Sequence, residues 1–166
     1  MGHIDAILEK YEEYLKRAEA GTCKKVGLRM QFRKVLRQRY KETFEPLLAE
    51  IEQKLLDKNH VASVEEKTSK ENFYMFTLGI IPRHLMRCPV DRFYPSHLLS
   101  TISFIANECT LTIDIETVIN PSIGIESNKF IEKLLIDELT QALFVQKVFE
   151  FLEKVFEETI ILDYQE

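Results

Sequence analysis

Five cations recur at every fourth residue: Lys25, Arg29, Arg33, Arg37 and Lys41. On an α-helix a step of four residues turns by about 40° beyond a full circle, so such a row winds slowly round the helix. It runs beside an apolar row with the same step, Leu28, Phe32, Leu36, Tyr40, Phe44 and Leu48, about 60° away. A helix carrying these cations could follow a nucleic-acid backbone, each contact releasing condensed counterions. The alternative is structural. Long basic side chains lay their stems along an apolar seam and turn their heads to water or to acidic neighbours. The segment from Thr22 to Lys41 holds eight basic residues and no acidic one. Against an overall charge of −5, the rest of the chain therefore carries −13. Such a remainder repels nucleic acid, so the structural role is expected.

Two further sets of residues could bind or react. The stretch from Pro82 to Ser96 contains Pro82, Pro89 and Pro95 and reads as a long connection, of the kind that often carries function. Arg83, His84, Arg87, Arg92 and His97 lie in it or just beyond and could bind a phosphate or carboxylate. The alternative is a surface crossover pinned by Leu85, Phe93 and Tyr94. Asp114 and Glu116 are two apart on a predicted strand, hence on one face and about 6–7 Å from each other. Paired carboxylates can hold Mg²⁺ in a nuclease-like site; the same pattern is also the ordinary polar face of a half-buried strand, which is the expectation here.

Other chemistries leave no mark. The glycines, Gly2, Gly21, Gly27, Gly79 and Gly124, form neither a phosphate loop nor a dinucleotide-binding turn. HExxH, GxSxG and EF-hand patterns are absent, and no cofactor is expected. Cys23, Cys88 and Cys109 are odd in number and widely spaced, which suits reduced thiols in a cytoplasmic protein better than disulfides or zinc. No apolar run is long enough to cross a bilayer, so no membrane partner is expected.

These residues must be positioned by the elements around them. With 166 residues, 45% of them apolar and 30% charged, the chain suits a single α+β domain. Residues 1–57 read as helical, 60–119 as an antiparallel sheet and 127–159 as a long C-terminal helix packed on that sheet. Ile4, Ile7, Leu8, Tyr11, Tyr14 and Leu15 recur at helical spacing. Gly21 and Thr22 then suggest a stop and a fresh N-cap, giving a helical hairpin. Pro46 predicts a kink or restart in the second helix. Four strands are expected as a meander: His60 to Thr68, Asn72 to Ile81, Thr101 to Ala106 and Thr110 to Val118. The last two form a hairpin turning at Asn107-Glu108. From Phe130 to Phe156 the apolar set is too broad for one helical stripe, so burial on two sides is expected, with Phe149 and Leu152 in a core or interface. The functional expectation is a non-enzymatic interaction or regulatory module that self-associates, or binds another protein, through its helices. Nucleic-acid binding through the basic row and anion binding through loop 83–97 are the alternatives.

Overall fold

A computed structural model describes residues 2–69, 73–85, 99–120 and 128–165, with side chains described for all of these except 18–26 and 160–165. Helix α1 (Gly2–Arg39) passes through Gly21 without a break. A π turn (Tyr40–Phe44) follows, in which the Glu45 N–H donates to the Tyr40 carbonyl five residues back. Helix α2 (Glu45–Asp57) completes one rod, about 84 Å long at the α-helical rise. The expected hairpin is therefore not formed. A single interior glycine costs a helix only about 1 kcal/mol. The apolar row that a hairpin partner would have covered is already spent, since Phe32, Leu36, Tyr40, Phe44 and Leu48 are buried in the main core.

The π turn answers a geometric problem in the sequence. Apolar residues at strict steps of four drift round an α-helix. A wider turn advances by a smaller angle per residue, which brings Tyr40 and Phe44 back to the same side. Pro46 lies in the first turn of α2, where a missing N–H is tolerated, so the helix continues through it. The rod ends at a left-handed residue, Asn59, with φ 65°. The His60 N–H donates back to the Leu55 carbonyl at 3.1 Å and the Asn59 N–H to Leu56 at 3.0 Å, closing the last turn.

Five antiparallel strands follow in sequence order: β1 (Val61–Ser69), β2 (Phe73–Ile81), β3 (Ser100–Asn107), β4 (Thr112–Ile119) and β5 (Asn128–Leu135). One face is apolar, built from Val64, Phe76, Leu78, Ile102, Phe104, Ile113 and Ile115. The rod and helix α3 (Gln141–Gln165) lie against it. Phe76 is the hub. Its ring stacks on Tyr40 at 4.5 Å and on Phe104 at 5.0 Å, while Phe44 stacks on Phe144 of α3 at 4.2 Å. On the opposite face the Leu99 side chain packs over Gly79, 2.9 Å from where a Cβ would be, so a larger residue there would have to displace it.

The fifth strand corrects the expectation of four, and it also shortens the C-terminal helix. Phe130, Ile131, Leu134 and Leu135 fit a helical period, yet residues 128–135 pair with β4, with Ile113 opposite Leu134, Ile115 opposite Glu132 and Thr117 opposite Phe130. An eight-residue segment can satisfy either period, and the open edge of β4 supplies the backbone partners that decide it. The sheet region thus extends to Leu135. Helix α3 starts after Thr140, whose hydroxyl accepts the Leu143 N–H at 3.2 Å. Phe144, Val148, Phe151 and Val155 form its buried line. Leu152 packs half-buried against the core, whereas Phe149 is 52% exposed. The expected β3–β4 hairpin is present. Its turn is held by the Asn107 Oδ1, which accepts from the Cys109 and Thr110 N–H groups. Leu111 takes a left-handed φ of 56°, so β4 begins at Thr112 and not at Thr110.

Two capping positions give a direct test. Asn59→Gly should leave stability unchanged or raise it by up to about 1 kcal/mol, while Asn59→Val should lower it by roughly 1–2 kcal/mol, because a branched side chain opposes the left-handed backbone. Thr140→Ala should cost about 1 kcal/mol. Urea unfolding midpoints of the three variants would check these values.

Candidate functional site

Three members of the basic row are engaged within the chain. Arg33 Nε lies 2.5 Å from Glu108 Oε1 in the β3–β4 turn, with side-chain exposures of 24% and 7%. Arg37 reaches Glu66 at 3.8 Å, and Lys41 reaches Glu66 at 3.1 Å and Glu45 at 3.2 Å. Glu66 stands on the apolar face of β1, opposite Phe76 in register. The row therefore seals the margin where the rod crosses the edge of the sheet. Arg39, outside the row, donates to the Ile136 carbonyl at 2.5 Å and lies 3.7 Å from Asp137, which fastens the rod to the β5–α3 turn. Arg29 is half-buried beside a cavity of about 220 Å³ that Leu28, Glu108, Cys109, Thr110 and Leu111 also line. The Lys25 side chain is outside the described set.

Burial and carboxylates shape the ionisable groups here. The hydrogen bonds that Lys41 donates to the carboxylates of Glu66 and Glu45 raise its pKa and hold it charged. Burial, then Glu45 and Glu66, push the Tyr40 phenol up to about 12, and burial raises Tyr74 further. The fully buried Tyr74 hydroxyl has no hydrogen-bond partner among the described residues.

Only part of the proposed anion-binding loop is described. Arg83 and His84 sit on a single 3₁₀ turn (Arg83–Leu85); Arg87, Arg92 and His97 lie outside the described residues. The Arg83 backbone N–H donates to His60 Nδ1 at 3.1 Å, and the His60 ring packs 5.1 Å from Phe156. Burial first, then the nearby charges of Arg83 and His84, lower the His60 pKa. His60 thus joins β1, the loop and α3, a role its isolated position in the sequence does not signal.

Asp114 and Glu116 share the face of the sheet away from the helices. Asn107 Nδ2 donates to Asp114 at 3.1 Å, and Lys129 of β5 lies 3.2 Å from Glu116. Lys133 stands opposite Asp114 in register. Both carboxylates thus face cations of β5 across the ladder. Among the described residues no cluster of three or more His, Cys, Asp or Glu side chains could hold a metal ion.

Among the described residues, the longest run of exposed apolar side chains lies elsewhere. Every described side chain from Gly2 to Arg17 is exposed. Within that stretch Ile4, Ile7, Leu8, Tyr11, Tyr14 and Leu15 are 43–64% exposed. Ile4, Ile7, Tyr11 and Tyr14 alternate steps of three and four, the seam of a coiled coil, with Leu8 and Leu15 widening it on one side. The helical spacing was readable in the sequence. That no described element covers it was not, because Gly21 and Thr22 predict a hairpin partner there. Also exposed are Phe130 on the helix-bearing face of β5, Ile131 and Leu135 on its opposite face, and Phe149 on α3. No protein-family model matches the chain, and no curated protein or solved structure matches it either.

Two measurements follow from this geometry. Arg33→Met should cost roughly 3 kcal/mol by leaving Glu108 buried without its cation, and adding Glu108→Leu should recover much of that. Lys34→Met, at an exposed position off the row, should be nearly neutral. For His60, the unfolded chain takes up a proton near pH 6.5 and the folded chain only below that. Its contribution to stability is full above pH 6.5 and is lost as pH falls through the folded value. Thermal midpoints recorded from pH 7.5 to 5 should therefore decline less for His60→Gln than for the parent chain.

Proposed function

We propose that the protein is a non-enzymatic interaction module that associates with further copies of itself through the N-terminal part of helix α1. The observation that carries this reading is the exposed seam of Ile4, Ile7, Leu8, Tyr11, Tyr14 and Leu15. Fully burying one such side chain is worth about 1.5–3 kcal/mol, so half a dozen can outweigh the several kcal/mol lost on association. An isolated helical arm in water is also marginal without tertiary packing, and a partner on the seam would supply that packing. The basic row speaks less for nucleic acid, since Arg33, Arg37 and Lys41 already face Glu108, Glu66 and Glu45.

Sedimentation velocity tests the reading. At micromolar concentration the full chain should run as more than one copy per particle. Ile7→Glu combined with Tyr11→Glu should give monomers whose near-ultraviolet circular dichroism is unchanged apart from the lost tyrosine, because neither residue touches the core. A monomeric parent chain across the micromolar range would refute it.

A further inference from the structure

We infer that two copies pack their N-terminal helices in parallel, with both sheet-and-helix bodies at the same end of the pair. This rests on the self-association proposed above and adds the identity and direction of the partner. The reason is the charge on the two flanks of the seam. At about 100° per residue, the stripe of Ile4, Ile7, Leu8, Tyr11, Tyr14 and Leu15 has Lys10 and Arg17, with His3, on one flank and Asp5 and Glu12 on the other, while Lys16 beyond the acidic flank and Glu13 beyond the basic one lie farther from the stripe. Each flank lies roughly 110° from the middle of the stripe. One edge is basic and the other acidic.

That asymmetry selects an orientation. When two identical helices face each other in parallel, the two-fold axis sets the basic flank of one against the acidic flank of the other, on both sides of the seam. In the antiparallel arrangement the axis is perpendicular to the helices. Basic flank then meets basic flank and acidic meets acidic. Attraction across two margins is replaced by repulsion across two, which is how flanking charges choose coiled-coil partners and direction. The flanking groups are free to act in this way. Lys10, Asp5 and Glu12 are exposed. Arg17 lies 2.8 Å from Glu13 of its own helix, but both side chains are more than 60% exposed, and such a surface pair is weak. Parallel pairing would also make the assembly bivalent, presenting two bodies side by side to anything that binds one of them.

Cross-linking and charge exchange test the direction. In a full-length chain with Cys23, Cys88 and Cys109 replaced by Ser, Tyr14→Cys should cross-link to itself through a short bismaleimide, because parallel seams bring equal positions together. Lys10→Glu with Arg17→Glu should weaken self-association at least tenfold at low salt, and adding Asp5→Lys with Glu12→Lys to the same chain should restore it. The inference is overturned if chains carrying Ile4→Cys link to chains carrying Tyr14→Cys while neither links to itself. It is equally overturned if the Lys10→Glu, Arg17→Glu chain associates as tightly as its parent, since exchanging one like-charged flank for another leaves an antiparallel pair unchanged. Either result would leave self-association standing. A monomeric parent chain in sedimentation would remove both.

Discussion

The stacking of Phe76 between Tyr40 and Phe104, with Phe44 against Phe144 alongside, is the contact on which the rest of the molecule depends. It joins the helical rod, the middle of the sheet and α3. Large aromatic rings bury much area and lose few rotamers in doing so. They also require that Tyr40 and Phe44 face the same way, and the π turn provides this. Without that turn, a row at steps of four would carry Phe44 and Leu48 away from the sheet. The rod is therefore held over its C-terminal half and, among the described residues, left uncovered from Gly2 to Arg17.

The electrostatic layout follows from that anchoring. Arg33, Arg37 and Lys41 stand where the rod crosses the sheet, and their charged heads meet Glu108 and Glu66. The acidic excess elsewhere supplies those partners. Within a segment that looks like a nucleic-acid footprint in composition, Arg33, Arg37 and Lys41 are, in space, the partners of carboxylates of the same chain. The remaining asymmetry, basic on one flank and acidic on the other, lies on the uncovered arm, where a second chain can meet it.

The candidate surfaces differ in how legible they were. The stripe Ile4 to Leu15 and the row Lys25 to Lys41 were visible as spacing, because an α-helix converts sequence period directly into a face. Asp114 and Glu116 were readable as one face of a strand, but their cations, Lys129 and Lys133, belong to a segment that read as helix. Glu108 as the partner of Arg33, and His60 as a joint between loop and α3, carry no local signal. Each depends on a residue 23 or more positions away.

Local patterns in the chain sufficed for the α+β class, the antiparallel pairing of β3 with β4, the apolar face of the rod and the turn at Asn107. Each rests on a local period or on a side chain bonding to its own backbone. The choice between helix and strand for residues 128–135, where both periods fit, was made by packing, since the free edge of β4 supplied the backbone partners. Packing also decided that Gly21 does not end the helix and that the row from Phe32 to Leu48 packs on the sheet. Glycine sets only a small local cost, and which apolar surface covers which is a competition among distant segments that no local pattern encodes.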